Sequence, residues 1–182
     1  MMMKIAVFVG SLQQKSFNKM LAKNLESVKP DDMEFQYIDL NLPLYNQDLE
    51  ADYPAVVQKQ KDIVRQADGI LVITPEYNRS LPGVLKNALD WISRPYGDSA
   101  FNGKPAGVVG AGLHHVSGAI VQADFRHIAA FLNMNVMGQP EVHINSAAER
   151  FDEDGRMSDD DMRRLGEYMD TFSEWVTTRG SK

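Results

Sequence analysis

The 182-residue chain contains no cysteine. Disulfides, thiolate metal sites and thiol nucleophiles are thereby excluded, and any redox chemistry must be carried by a cofactor. A basic excess is missing too. Lysine and arginine number 19 against 25 aspartates and glutamates, for a net charge of −6. Displacing counterions from nucleic acid requires the opposite balance, so no nucleic-acid partner is expected. No apolar run approaches the length that crosses a bilayer, so no membrane partner is expected either. After three methionines and Lys4 the first apolar run spans about six residues, too short for the h-region of a signal peptide. A cytoplasmic protein is the expectation. Internal repeats, low-complexity segments and linkers are also lacking. A chain of this length suits one domain over residues 1–182 with a sizeable core.

What is present is an alternation. Residues 4–9 (KIAVFV), 70–74 (ILVIT) and a stretch within 104–112 (KPAGVVGAG) are apolar on both parities, the mark of strands buried on both faces. Residues 33–39 (MEFQYID) alternate like a half-exposed strand, and a further strand within 134–144 is interrupted near Pro140. Between these segments lie helical patterns at 17–28, 54–67, 82–93, 118–132 and after Ser158. In the first of them Phe17, Met20, Leu21, Leu25 and Val28 form one stripe. Ser158 with Asp161 predicts a capping box for the last helix. Strands alternating with helices predict a parallel sheet covered on both faces, a doubly wound three-layer α/β sandwich of five strands. The one long loop, 40–53 (LNLPLYNQDLEADY), is expected from its length and apolar residues to reach a neighbouring subunit. Trp91 and Trp175 are expected in packing or at an interface.

Ligands of such sheets sit beyond the carboxyl ends of the strands, at the switch point. Three loops are therefore candidates. The first, GSLQQKSFN (10–18), runs from a strand end into a helix start, where free N–H groups and the helix dipole favour an anion. Ser11, Gln13, Ser16 and Asn18 add polar side chains, and Lys15 adds charge. It is not a Walker A loop, because the second glycine is missing and Lys-Ser falls one residue early. It is not G-x-G-x-x-G, because Gly10 stands alone. Ser16 as a plain helix cap is the competing reading. The second loop places Glu76, Tyr77, Asn78 and Arg79 between Pro75 and Pro82. Tyr77 offers a flat face, and the N–H groups of residues 77–79 suit the edge of a heterocycle; a stiff connector with Tyr77 packed on the core is the alternative. The third, GAGLHHVSG (110–118), has glycines that let backbone approach a ligand. Its adjacent His114 and His115 are poorly placed to share one ion, and His127 and His143 lie on other elements. No metal is expected; a polar loop touching substrate is.

The strand ending in G-S-L and followed by S-F-N, together with PEYNRSLPGVLKNALDW (75–91), resembles the NADPH-dependent FMN reductase family, which includes bacterial quinone, azo-dye and chromate reductases. The likeness extends over nearly the whole chain, including DLNLPLYNQDLE. It implies a flavodoxin-like fold with strand order 2-1-3-4-5 and non-covalently bound FMN. It implies hydride supplied by NADPH or NADH, and a small-molecule electron acceptor such as a quinone, azo compound, metal oxyanion or free flavin. It also implies a homodimer or homotetramer. The resemblance assigns Ser11, Gln13, Ser16 and Asn18 to the FMN phosphate, with Lys15 and Phe17 also among the cofactor-binding residues. Pro75, Glu76, Tyr77 and Asn78 fall around the isoalloxazine, with Ala111, Gly112, Leu113 and His114 on its other side. No catalytic side chain is implied, since the flavin carries the chemistry. Relatives often have Arg where this chain has Gln13, which shifts the phosphate's charge onto Lys15 and backbone N–H groups. Two other readings stay open: an electron carrier of the flavodoxin type, and a flavin-less regulatory or scaffold protein of the same fold.

Overall fold

A computed structural model of the chain describes residues 2–180. Five strand positions and five helices alternate. Strand β1 (Met3–Val9) leads to α1 (Phe17–Val28), β2 (Met33–Ile38) to α2 (Ala55–Gln66) and β3 (Gly69–Ile73) to α3 (Gly83–Ile92). Then come β4 (Pro105–Ala111), α4 (Ala119–Phe131), the two short pieces β5 (Asn135–Val136) and β6 (Val142–Ile144), and α5 (Asp159–Arg179). All pairings are parallel, in the order β2-β1-β3-β4-β5, and β6 continues the edge position beside β4. The sheet has the expected 2-1-3-4-5 order, with its last strand broken around Pro140.

The apolar strands are explained by the layers. Side chains alternate across a strand, so Ile5, Val7, Leu71, Ile73 and Val109 pack with Leu21, Leu25, Leu165, Met169 and Phe172 of α1 and α5. Ala6, Phe8, Ile70, Val72 and Val108 face the other way and pack with Val64, Leu85, Leu89, Ile92 and Phe125 of α2, α3 and α4. Each large side chain so buried contributes about 2 kcal/mol relative to exposure. The α5 start follows from its cap: Ser158 Oγ accepts from the Asp161 N–H at 3.2 Å.

The long loop folds back on its own chain. Its Pro43 carbonyl accepts from Asn87 Nδ2 at 2.9 Å and from Trp91 Nε1 at 2.7 Å, and Asn87 Oδ1 accepts from the Tyr45 N–H at 2.8 Å. The Tyr45 and Tyr53 rings meet Trp91 edge-on at 5.0 and 5.3 Å. Trp91 is fully buried within its own subunit. Asn87 and Trp91 thus serve the loop; what the loop offers to a neighbour is confined to exposed side chains such as Leu44. After α3, buried Lys61 donates to the Arg94 carbonyl and reaches Asp98 Oδ2 at 2.9 Å, while Arg65 reaches Asp98 Oδ1 at 2.8 Å.

The switch point lies between β1 and β3, whose chains leave in opposite directions. There the carboxyl ends of three adjacent strands come into close contact. Gly10 donates to the Ile73 carbonyl at 2.8 Å, and Thr74 donates to Val109 at 3.0 Å. A Cβ on Gly10 would stand 2.5 Å from Thr74 Oγ1, and one on Gly110 would stand 2.2 Å from the Thr74 carbonyl oxygen. Both glycines are dictated by this approach.

Two outcomes follow. Gly110→Ala, whose added carbon meets backbone, lowers the unfolding free energy by about 3 kcal/mol in urea titration; Gly83→Ala, with nothing within 4 Å, changes it by less than about 0.5 kcal/mol. The hydrogen bond from Lys61, with that from Arg65, holds the Asp98 carboxyl below its ordinary value against a smaller opposing effect of burial. A depressed carboxylate stabilises the fold above its unfolded value, about 4, and that contribution disappears as pH falls through the lower folded value. The stability gap between wild type and Asp98→Asn is therefore full at neutral pH and closes below about pH 4 in urea titrations run across pH.

Candidate functional site

The three loops meet in one open cleft beyond these strand ends. It is lined by Ser11, Gln13, Ser16, Phe17, Asn18, Pro75, Glu76, Tyr77, Ala111, Gly112, Leu113 and His114, joined by Ser117. Of the site residues the resemblance assigns, Lys15 and Asn78 lie outside the lining, as do Arg79 and His115 of the same loops. Ser117 was not among the expected site residues. Its hydroxyl donates to the His114 carbonyl at 3.0 Å and accepts the His114 N–H at 3.3 Å, closing a turn that puts His114 on the cleft. His115 points elsewhere, with Nδ1 at 3.0 Å from Ser146 Oγ.

The first wall is the start of α1. Ser16 is its N-cap, and its Oγ accepts from the Asn18 N–H at 3.2 Å, which leaves the hydroxyl proton to donate. Ser11 and Ser16 are each 3% exposed, hydroxyls held at the floor of the cleft. Among the described residues, the N–H groups of Leu12, Gln13, Gln14 and Lys15 have no intramolecular acceptor. The Ser11 and Ser16 hydroxyls, Gln13 with its free N–H and the positive end of α1 border the same cleft, a setting for an anion. Among the described residues no lysine or arginine is in the lining; Lys15 is exposed and is not part of it.

Asn18 acts differently from the other polar residues of this loop. Its amide is buried, donating from Nδ2 to the Ala111 carbonyl and accepting at Oδ1 from the Ala111 N–H, both at 2.9 Å. The side chain expected to contribute to an anion cup instead clamps the end of β4 to the start of α1. Sequence alone shows an asparagine at a helix start; the two-point fit to a distant peptide unit has no local signal.

The second wall is a hairpin. Tyr77 and Ser80 exchange both backbone hydrogen bonds, at 3.1 and 3.0 Å, across Asn78 and Arg79, which have φ of 51° and 66°. This is the geometry of a two-residue hairpin with both central residues left-handed. The Tyr77 N–H, expected to reach a ligand edge, is used within the turn. The Tyr77 ring remains 48% exposed and flanks the cleft. Glu76 turns inward, its side chain 8% exposed. One oxygen accepts from Arg79 Nη1 at 3.1 Å, and the other accepts from the N–H groups of Gly118 and Val121 at 3.2 and 3.4 Å. Helix α4 begins at a left-handed Gly118 that has no side chain with which to cap it. Glu76 supplies the cap from a different loop and joins the second wall to the third. A helix whose N-cap is glycine is the one sequence clue to this arrangement.

Asn18→Ala would leave the buried Ala111 peptide unpaired at both N–H and carbonyl. The expected loss is about 2 kcal/mol or more of unfolding free energy, measured by urea titration.

The sequence model of the NADPH-dependent FMN reductase family matches residues 3–149. A 2-hydroxy-1,4-benzoquinone reductase of a Burkholderia species is 46% identical over 181 residues, covering 98% of this chain and 99% of its own. A quinone reductase of Pseudomonas putida is 40% identical over 174 residues, 94% of either chain. Among solved structures, the flavoenzyme NAD(P)H:(acceptor) oxidoreductase FerB from Paracoccus denitrificans superposes with a TM-score of 0.92 at 38% identity, covering 98% of this chain and 100% of its own.

Proposed function

We propose that this chain, which belongs to the NADPH-dependent FMN reductase family, holds FMN in the cleft and uses NADPH or NADH to reduce quinones. The observation that carries the site assignment is the convergence of a hydroxyl- and N–H-lined anion cup and an exposed aromatic face in one cleft. The donor set fits the group. Ser11, Ser16, Gln13 and the free N–H groups at the α1 start would take the phosphate. Pro75, Glu76 and Tyr77 would border the ring on one side, and Ala111, Gly112, Leu113 and His114 on the other. When bound, FMN supplies two-electron chemistry, accepting hydride from the nicotinamide and passing it to the acceptor.

The protein's own part is positional. Asn18 fixes Ala111 against the cup, and Glu76 fixes the hairpin against α4, so the three walls are tied to one another. The cup donors are set in advance and need no reorganisation to meet a phosphate. Lys15 and Asn78 stand outside the lining and have no direct part in this assignment. The exposed apolar and aromatic side chains at the cleft, Leu113 at 60% and Tyr77 at 48% exposure, suit flat acceptors of varied shape, and the relatives' quinone activity selects quinones among them.

The reading takes the whole chain as one FMN-binding domain, assembled as a homodimer or homotetramer in the cytoplasm. Ile120, His127 and Phe131 fall on one stripe of α4, and Phe131 and the neighbouring Tyr96 are 84% and 89% exposed. Apolar side chains so placed are suited to burial against another copy. Among the described residues no helix is long and apolar enough to cross a membrane.

The purified protein is expected to be yellow, to bleach anaerobically with NAD(P)H, and to oxidise NAD(P)H with a benzoquinone and no protein partner. A yellow protein without such turnover would point to an electron carrier. A colourless protein that FMN does not reconstitute would overturn the assignment.

A further inference from the structure

The second-loop hairpin carries a cation where its backbone disfavours one. In a two-residue turn with both central residues left-handed, asparagine suits the first position and glycine the second. Asn78 follows that rule with φ 51°, but the glycine position is occupied by Arg79 at φ 66°. A long side chain in that conformation is strained, and such strain is a mark of residues kept for function.

The side chain is neither packed nor spent. It is 65% exposed, and its one hydrogen bond among the described residues runs from Nη1 to Glu76 Oε1 at 3.1 Å. Glu76 is itself buried and shared with two N–H groups of α4. The guanidinium is therefore anchored through Nη1 to Glu76, a residue of the cleft wall, while most of the side chain stays open to solvent. Anchoring by one edge pre-organises a planar fork for an anion. The need for it comes from charge. The chain carries a net −6, and the cleft lining includes no lysine or arginine. Any NAD(P)H that brings its nicotinamide to the cleft must settle its phosphates nearby, against a repulsive field.

We propose that Arg79 receives phosphate of the nicotinamide dinucleotide beside the cleft and is a dinucleotide-binding residue of the reductase. The proposal rests on the reading of the cleft as a flavin site served by NAD(P)H. The shared chemistry is a guanidinium–phosphate contact; its source is either the pyrophosphate common to both dinucleotides or the 2′-phosphate of NADPH alone.

The test compares wild type with Arg79→Gly, a change that removes the charge and relieves the turn. Thermal unfolding and bound FMN report on the fold. Calorimetric titration of the FMN-loaded proteins with NADP+ and NAD+, alongside KM for NADPH and NADH with a benzoquinone, reports on recognition. Arg79→Gly is expected to keep its FMN and to melt at the wild-type temperature or above. Its Kd for NADP+ and KM for NADPH should rise about 10-fold or more, the loss of a charge-assisted contact. An equal rise for NAD+ and NADH assigns the pyrophosphate; a rise confined to the 2′-phosphorylated pair assigns that phosphate. Arg79→Lys, which keeps the charge without the fork, should fall between. Unchanged binding of both dinucleotides, or loss of FMN from Arg79→Gly, would overturn the proposal while wild-type turnover still supports the flavin site. A wild type that binds neither dinucleotide would overturn both.

Discussion

The molecule depends on how closely three strand ends approach at Thr74. Its carbonyl oxygen and hydroxyl occupy the space where side chains of Gly110 and Gly10 would stand. Glycine on both sides lets β1, β3 and β4 end in contact, and the loops that follow them emerge toward one point. A doubly wound sheet always offers a crevice where its strand order reverses. Here the two glycines make that crevice narrow enough for three loops to share one cleft.

Convergence alone would leave three mobile loops. Two buried polar side chains lace them. Asn18 satisfies both polar groups of the Ala111 peptide, and Glu76 caps a helix that has no cap of its own. Each joins residues far apart in sequence and spends its hydrogen-bonding capacity on backbone that would otherwise be buried and unpaired. The cleft walls are thus held by interactions distinct from those offered to a ligand. The Ser11 and Ser16 hydroxyls, the Gln13 side-chain amide and the Gln13 N–H remain available. The division between groups that build the cleft and groups that face it is the basis for assigning FMN there.

Much of this was legible in the chain. The apolar strands follow from burial on both faces, and the split edge strand from Pro140. The three loops follow from the strand ends, and most of the residues singled out on them line one cleft. What was not legible shares a physical cause. Asn18, Glu76, Asn87 and Trp91 belong to the motifs of the family likeness, yet their side chains are used on backbone or loops tens of residues away. Local sequence shows residue type and period; it does not show which distant peptide a side chain will satisfy. Lys15, adjacent to the cup in sequence, is exposed and is not among the residues that line the cleft. The long loop's Tyr45 and Tyr53 pack on Trp91 of their own chain, contacts across 46 and 38 positions that local sequence does not show.

The charge economy of the site is where the account is most exposed. An anion cup without a cation must work through neutral donors and a helix terminus, whose strength comes from direction and low exposure. The most direct measurement is equilibrium titration of flavin-free protein with FMN and with riboflavin, at low and high salt. The account predicts that FMN binds about 100-fold more tightly than riboflavin, the worth of a few hydrogen bonds to a charged phosphate, and that the difference changes little with salt, since no exposed ion pair contributes. Equal affinity for the two flavins, or a preference for FMN that collapses at high salt, would contradict it.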